Sequence, residues 1–141
     1  MDTMFTISRQ FVFCYAHRLL GHTGKCAHLH GHNGTIRIEL RNHQLNSQGM
    51  VTDFIDVRNY LGEWIETALD HRTILKEGDP LADMLRSQGE PVLTLSVEPT
   101  AENLAKLIYE KAEDIGLPVY AVSVWETEKC AAEYRKRIAN H

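Results

Sequence analysis

Apolar and polar residues alternate along two stretches of the chain, a pattern typical of strands with one buried face. The first predicted strand covers residues 5–15, and continuing its alternation places His17 on the same aromatic face, just beyond the strand. The second covers residues 30–41 and alternates more regularly. One of its faces carries His30, His32, Ile36, Ile38 and Leu40, and the other carries Thr35, Arg37, Glu39 and Arg41.

The middle of the chain combines a helical pattern with irregular segments. Residues 42–49 are polar and predict a hairpin loop. Apolar residues recur at helical spacing over residues 56–69, with Asp56 as the expected N-cap. Residues 76–99 are rich in glycine and proline and predict irregular structure, with a short helical turn near residues 81–85.

The last third of the chain predicts one helix and two strands. Thr100 caps a helix that Gly116 and Pro118 end. Residues 119–127 predict a third strand, and residues 130–138 a fourth, although the alanines and charges there also suit a helix. The order strand, strand, helix, helix, strand, strand indicates an α+β domain: a four-stranded antiparallel sheet with two helices on one face. Its open edges favour assembly into an oligomer.

Composition narrows the class of protein. The 141 residues suit one domain over positions 1–141, and the formal charge of −4 argues against a nucleic-acid binder. No apolar run could span a membrane, and the N-terminus lacks the pattern of a secretory signal. The three cysteines cannot all pair within one chain, so we expect reduced thiols and a cytoplasmic protein.

The densest chemistry lies in the run Cys26-Ala27-His28-Leu29-His30-Gly31-His32. His30 and His32 share a strand face, and His17 ends a strand that could lie alongside. Three neutral imidazoles with one open position are typical of a catalytic zinc site, whereas structural zinc sites are usually closed by four protein ligands. His22 and His28 are competing ligands, and surface histidines in a glycine-containing loop are the simpler alternative.

Cys26 is the candidate base of this site. It follows a polar stretch, so burial in a core is not expected, and the adjacent Lys25 favours the thiolate. A thiolate can abstract a proton from carbon. By contrast, Cys14 and Cys130 have the surroundings of packing residues.

Further candidates lie at the ends of predicted elements. Asp70 and His71 end the first helix, where the helix dipole alone would explain a histidine and where a carboxylate–imidazole pair could also shuttle protons. Glu126 ends an apolar strand face and could accept both donors of an amidine-like ring edge. Thr100 and Glu102 lie at a helix N-terminus, where capping is the simpler explanation.

Taken together, these residues resemble the 6-pyruvoyl-tetrahydropterin synthase family. The matching motifs are ordered along nearly the whole chain: Ala16-His17-Arg18-Leu19, residues 26–33, residues 49–54, Leu69-Asp70-His71, residues 99–103, and Glu126-Thr127 with Tyr134 downstream. Gly34 departs from the pattern, since the family commonly has an aromatic residue there, and so do Lys76 and the long segment 76–99.

The resemblance implies a T-fold (tunnelling fold) in which three subunits form a barrel and two trimers stack into a hexamer. It implies that His17, His30 and His32 bind Zn²⁺. Cys26 would be the general base, assisted by Asp70 and His71 of a neighbouring subunit. Glu126 would anchor a pterin ring in a pocket lined by Thr100 and Glu102.

The expected substrate of such a site is 7,8-dihydroneopterin triphosphate. The spacing from Cys26 to His30 is similar to that of the 6-carboxy-tetrahydropterin synthases of queuosine biosynthesis, which release acetaldehyde and triphosphate. A 6-pyruvoyl-tetrahydropterin synthase, which eliminates only triphosphate, is the alternative within the family. A non-catalytic pterin-binding paralogue is the alternative outside catalysis.

Overall fold

A single mixed sheet of six strands organises the molecule, and the computed structural model describes residues 3–137. The strands are β1 (Phe5–His17), β2 (His30–Asn42), β3 (Arg72–Lys76), β4 (Val92–Leu95), β5 (Val119–Thr127) and β6 (Cys130–Tyr134), in the spatial order β4-β3-β1-β2-β5-β6. The four strands predicted from the sequence are all present. The α+β class is confirmed, while the number of strands is six instead of four.

The long antiparallel pair β1–β2 forms the centre of the sheet. β1 continues two residues further than predicted, so His17 lies inside the strand and pairs directly with His30. In the same register Tyr15 lies opposite His32, and Phe13 lies opposite Gly34. The side chains of these residues therefore share one face at the end of the sheet where the chain leaves β1.

The C-terminal strands extend the sheet from β2. β5 has the predicted bounds and pairs antiparallel with β2. The last predicted element is a strand and not a helix, but β6 ends at Tyr134 instead of 138. Residue 138 lies outside the described residues.

The segment predicted to be irregular supplies the two additional strands. β3 pairs parallel with β1, and β4 pairs parallel with β3. Helix α3 (Pro80–Ser87) crosses between them and is longer than the predicted turn. Asp79 caps this helix, accepting a hydrogen bond from the Leu81 amide at 2.9 Å.

The first predicted helix is present in three pieces. α1 (Phe54–Val57) continues through a π-helical turn (Arg58–Gly62) into α2 (Glu63–Ala68). Its N-cap is Asp53, which accepts from the Ile55 amide, so the prediction of Asp56 is wrong. The predicted hairpin loop at 42–49 is also wrong, because the chain there leads from β2 into α1 and joins no two strands.

Helices cover one face of the sheet and bury its apolar residues. α4 (Ala101–Asp114) begins at the predicted cap, Thr100, whose side chain accepts from the Asn103 amide. The core combines the inward residues of β1, β2 and β5 with the apolar faces of α4 and the first helical segment, including Phe13, Ile36, Ile38, Leu61, Ile65, Leu104, Ile108, Val122 and Val124. The described part of the chain contains no helix that is both long and apolar enough to cross a membrane.

Candidate metal and substrate site

Three histidines converge where β1 meets β2. The ring centroids of His17 and His30 are 4.6 Å apart, those of His17 and His32 5.1 Å, and those of His30 and His32 5.0 Å. One nitrogen of each ring lies within 4.8 Å of the others. Pairing of residue 17 with residue 30, together with the two-residue alternation along β2, produces this cluster.

Backbone carbonyls fix the orientation of two of these rings. Nδ1 of His17 lies 2.7 Å from the carbonyl oxygen of Pro99, and Nδ1 of His30 lies 2.7 Å from that of His28. Because a carbonyl only accepts, Nδ1 carries the proton in both rings and Nε2 keeps its lone pair. Metal-binding histidines are oriented in this way.

The unsatisfied atoms of the cluster match a metal site. Nε2 of His17 and Nε2 of His32 are buried and have no hydrogen-bond partner among residues 3–137. Buried polar atoms are normally paired, so two such atoms pointing into one space indicate a missing ligand. Three imidazole nitrogens that leave a position open are the donor set of catalytic zinc.

Burial favours the neutral form of two of the three rings, His17 and His32. Burial lowers the pKa of His17, against the opposing effect of the hydrogen bond to Pro99. Burial also lowers the pKa of His32, while the charge of Glu126 opposes that shift. The carboxylate oxygens of Glu126 lie 4.0 Å from Nε2 of His17 and 3.9 Å from Nε2 of His32. The neutral imidazole is the form that binds metal.

The competing histidines lie outside the cluster. Nδ1 of His22 accepts a hydrogen bond from the Gly24 amide at 2.8 Å. His28 contributes its carbonyl oxygen to the orientation of His30. The sequence pattern did not indicate this orienting role, because the contact requires the turn before β2.

A cleft of about 550 Å³ opens beside the cluster. It brings together five of the nine predicted site residues: His17, Cys26, Thr100, Glu102 and Glu126. Cys26 lies in a 3₁₀ turn (Lys25–Ala27) of the β1–β2 connection and is partly buried, as expected for a residue outside the core. The predicted residues in the cleft therefore supply a thiol, two carboxylates and one of the candidate metal ligands.

Two carboxylates anchor the connection that carries Cys26. Glu98 accepts hydrogen bonds from the Leu20 amide at 3.0 Å and the Gly21 amide at 2.7 Å. Arg18 forms an ion pair with Asp79, whose side chain is fully buried. These anchors join residues far apart in the chain, which is why sequence patterns did not reveal them.

The predicted roles of the other cysteines are wrong. Both Cys14 and Cys130 are exposed, and the Cys14 thiol contacts the Asn33 side-chain oxygen at 3.0 Å. Cys130 borders the same cleft as Cys26. Their strands carry them on the sheet face or edge that the helices leave uncovered.

Asp70 and His71 form a hydrogen-bonded pair away from this cleft. The helix before them ends at Ala68, and Nδ1 of His71 lies 2.8 Å from the Asp70 carboxylate. Asp70 also accepts from the Cys14 amide at 2.8 Å. Burial raises the pKa of Asp70, but these hydrogen bonds outweigh it and hold the pKa below its ordinary value.

Two further features mark the Asp70–His71 pair: the cavity that Asp70 lines and the backbone conformation of His71. Asp70 lines a second cavity, between β1 and the π-helical turn, together with Arg9 and Arg58. His71 has a φ of +59°, a left-handed conformation uncommon outside glycine and a frequent feature of functional sites. Within one chain, Asp70 and Cys26 therefore face different cavities.

Comparison with known proteins identifies relatives of this arrangement. The family model for 6-pyruvoyl tetrahydropterin synthase matches residues 6–137. A 6-carboxy-5,6,7,8-tetrahydropterin synthase of Haemophilus influenzae is 30% identical over 141 aligned residues, covering 94% of this chain and 100% of that protein. A probable 6-carboxy-5,6,7,8-tetrahydropterin synthase of Halobacterium salinarum is 40% identical over 116, covering 79% and 73%.

Solved structures show the same fold. An uncharacterised protein of Wolinella succinogenes superposes with a TM-score of 0.79 at 26% identity, covering 96% of this chain and 99% of that one. The 6-pyruvoyl tetrahydropterin synthase of Caenorhabditis elegans superposes with a TM-score of 0.71, also at 26% identity, covering 96% and 97%. The T-fold expected from the sequence is confirmed.

Proposed function

Because the chain belongs to the 6-pyruvoyl tetrahydropterin synthase family, we propose that it is a zinc-dependent lyase acting on 7,8-dihydroneopterin triphosphate. The proposed products are 6-carboxy-5,6,7,8-tetrahydropterin, acetaldehyde and triphosphate, in the biosynthesis of queuosine and related 7-deazapurines. The observation that carries this proposal is the convergence of three imidazoles, two with orphaned Nε2 atoms, beside a cleft that contains a thiol. Relatives named 6-carboxy-5,6,7,8-tetrahydropterin synthase support the choice of product.

His17, His30 and His32 would hold the zinc ion through Nε2. When bound there, the ion would act as a Lewis acid toward the hydroxyl groups of the substrate side chain. The fixed tautomers of His17 and His30 mean that neither ring needs to reorient or lose a proton to bind it. Burial also lowers the pKa of His17, which favours the neutral form of that ring.

Cys26 would remove a proton from carbon on the substrate side chain. Its 3₁₀ turn fixes the thiol at the cleft, because the Leu19 amide donates to the Cys26 carbonyl at 2.8 Å. Glu98 and Asp79 fix the start of the same connection. A thiol held in this way loses little orientational freedom when the substrate binds.

Glu126, Thr100 and Glu102 would bind the pterin ring. An ionised carboxylate accepts two hydrogen bonds at once, which suits the adjacent N–H and NH₂ donors of a pterin edge. Glu126 lies at the junction of the cleft and the histidine cluster, so a ring held there places its side chain near the imidazoles. Thr100 already serves as the α4 cap, which fixes its position on the cleft wall.

Asp70 and His71 would complete the site from a neighbouring subunit. In one chain Asp70 faces a different cavity from Cys26, and the pair would need access to the proton that Cys26 removes. This requirement supports a homo-oligomer, which we propose is a hexamer built as a dimer of trimers. The three free thiols fit a reducing compartment, and we place the protein in the cytoplasm.

Product analysis tests the proposed reaction. Zinc-loaded protein is incubated with 7,8-dihydroneopterin triphosphate, and the pterin products and acetaldehyde are quantified. We expect acetaldehyde and 6-carboxy-5,6,7,8-tetrahydropterin in equal amounts. A 6-pyruvoyl product without acetaldehyde would assign the sibling activity, and tight pterin binding without turnover would indicate a binding paralogue.

Two cysteine variants provide a matched control. Cys26→Ala is expected to keep its zinc and to lose turnover, whereas Cys130→Ala, at the edge of the same cleft, is expected to keep both. Wild-type activity in Cys26→Ala would remove this thiol from the mechanism.

A further inference from the structure

Tyr15 lies beside the three histidines of the cluster, and the family motifs do not include it. Its ring centroid lies 5.1 Å from that of His17 and 5.5 Å from that of His32. The residue is 4% exposed, and β1–β2 pairing places it directly opposite His32. Its ring is therefore a wall of the candidate metal site.

The hydroxyl of Tyr15 is buried and has no hydrogen-bond partner within residues 3–137. In that part of the chain four buried side-chain polar atoms are orphaned, and three of them belong to Tyr15, His17 and His32. An orphaned buried hydroxyl costs stability, and phenylalanine would fill the same space without that cost. Three such atoms in one cluster point to a polar ligand that satisfies them.

Gly34 on β2 leaves the space that the Tyr15 ring occupies. Tyr15 stacks on Phe13 with centroids 4.6 Å apart and planes 8° from parallel. A Cβ at Gly34 would lie 2.6 Å from Cε1 of Phe13 and 3.0 Å from Cε1 of Tyr15. Residue 34 must therefore lack a side chain for the two rings to occupy these positions.

The chemistry of the neighbouring groups indicates that the Tyr15 hydroxyl acts as a hydrogen-bond donor. The imidazole nitrogens are lone-pair donors suited to a metal, and the Glu126 carboxylate only accepts hydrogen bonds. A neutral phenol is the hydrogen-bond donor among these groups. A phenol keeps its proton at neutral pH, because its ordinary pKa is about 10.

We propose that the Tyr15 hydroxyl is a further ligand-binding group of this site, donating a hydrogen bond to a hydroxyl oxygen on the side chain of the bound pterin. The inference rests on the proposed function and deepens it. It assigns the site a preference for pterins with a hydroxylated side chain over pterins with a bare or alkyl-substituted ring.

Binding of two pterins to zinc-loaded Tyr15→Phe tests the assignment. Neopterin carries side-chain hydroxyls and 6-methylpterin does not, and pterin fluorescence reports the affinity of each. We expect Tyr15→Phe to bind neopterin about two- to twelvefold more weakly than wild type, the range of one neutral hydrogen bond, and to bind 6-methylpterin equally well. Tyr109→Phe is the matched control, because Tyr109 is also buried but lies two turns along α4 from the cleft.

Two further measurements separate this role from a structural one. Elemental analysis is expected to show unchanged zinc content in Tyr15→Phe. The melting temperature of its metal-free form should equal or exceed that of wild type, since the lost hydroxyl had no partner. A lower melting temperature in that form would overturn the assignment, as it would show that the hydroxyl is satisfied within the protein.

The binding outcomes distinguish the two proposals. Equal neopterin affinity in Tyr15→Phe and wild type would overturn the role of Tyr15 alone. Equal weakening of both pterins would also overturn it, because the hydroxyl would then act on the ring or on Glu126. If zinc-loaded wild type binds neither pterin, the proposed function fails and this inference fails with it.

Discussion

At the scale of single residues, the histidine cluster derives its chemistry from the atoms that are left unpaired. His17 and His30 each use Nδ1 on a backbone carbonyl, and His17 and His32 each bury an Nε2 atom without a partner. A metal ion held between the rings would satisfy both orphaned Nε2 atoms at once. The orphaned atoms thus indicate that this buried polar cluster is a binding site.

Removing one ligand should abolish stoichiometric metal binding. His32→Ala takes away one of three nitrogens, and we expect the affinity for zinc to fall by more than about 100-fold, since even indirect changes to metal sites cost 10- to 100-fold. Elemental analysis after dialysis measures the zinc content. His22→Ala, a histidine outside the cluster, should keep one zinc per chain. Zinc retained in His32→Ala would transfer the ligand role to His22 or His28.

Gly34 is expected to be intolerant of even a methyl group. Gly34→Ala places Cβ against the stacked rings of Phe13 and Tyr15, and overpacking of this kind costs about 1–3 kcal/mol. Urea unfolding of the metal-free protein measures the cost. Thr35→Ala, the next residue and on the opposite face of β2, should cost less. The double variant Gly34→Ala/Phe13→Leu should be destabilised by less than the sum of the two single variants, because the smaller side chain at position 13 leaves room for the added Cβ. Strict additivity would show that the rings do not collide with Cβ.

Strand alternation was sufficient to predict which histidines share a face. Alternation placed His30 and His32 on one face of β2, and the expectation that the first strand lies alongside brought His17 to them. Tyr15 lies on the aromatic face of the first predicted strand, and the signal that could have found it is the glycine at position 34, which leaves space for its ring. The carbonyl of Pro99 could not be predicted, because it lies 82 residues from the ring that it orients.

At the scale of elements, the β1–β2 connection is the least regular part of the site and the most strongly anchored. Glu98, before α4, holds two of its amides, and Asp79, before α3, holds Arg18. The same segment before α4 presents the Pro99 carbonyl to His17. The starts of two helices therefore position both the thiol and a candidate metal ligand.

The Arg18–Asp79 pair is expected to be a major source of this order. Arg18→Met leaves the fully buried Asp79 carboxylate without its countercharge, which typically costs about 3–5 kcal/mol. Urea unfolding at neutral pH measures the loss. The double variant Arg18→Met/Asp79→Asn should lose less than the single variant, because no buried charge remains while Asn can still cap α3. A loss below about 1 kcal/mol in Arg18→Met would show that the pair is solvated.

The Arg18–Asp79 pair should make the free energy of unfolding depend on pH. The Arg18 hydrogen bonds hold the pKa of Asp79 below its ordinary value, against the opposing effect of burial. As the pH falls, the Asp79 carboxylate is protonated in the unfolded chain before it is protonated in the folded chain. The stabilisation by the pair is therefore complete above about pH 4 and is lost as the pH falls toward the folded pKa of Asp79. Urea midpoints measured between pH 7 and pH 3 should fall more steeply in wild type than in Arg18→Met. Parallel profiles would contradict the assignment.

The elements missed from the sequence share one physical reason. β3 and β4 are four or five residues long and pair parallel, so both lack the extended alternation that marks an antiparallel strand with one solvated face. Pro91 and the glycines of this region obscured them further. The long strands β1, β2 and β5 and the capped helix α4 were predicted well, because each is amphipathic over many residues.

At the scale of the whole molecule, the predicted site residues of one chain lie in two separate places. Cys26 and Glu126 face the cleft beside β6, whereas Asp70 faces the cavity between β1 and the π-helical turn. Both edges of the sheet are short strands, β4 and β6, and Val12 on the uncovered face is 80% exposed. An assembly that pairs sheet edges would cover such surfaces and bring a second chain toward the cleft.

Mixing two inactive variants tests whether the site is shared between subunits. Cys26→Ala and His71→Ala should each lose turnover when assembled alone. If each site takes Cys26 from one chain and His71 from its neighbour, oligomers reassembled from equal amounts of both variants contain some intact sites. Random assembly makes about one quarter of the sites intact, so about one quarter of wild-type activity should return.

The control mixes two variants whose substituted residues line the same cleft. Cys26→Ala mixed with Glu126→Ala places both lesions in the same cleft, so every mixed site carries one lesion or the other and activity should stay absent. Recovery in the first mixture but not in the second would establish that Asp70–His71 acts across a subunit boundary. No recovery in either mixture, with mixed oligomers verified by mass, would place the whole site within one chain. The pair would then have to approach Cys26 by a rearrangement within the chain.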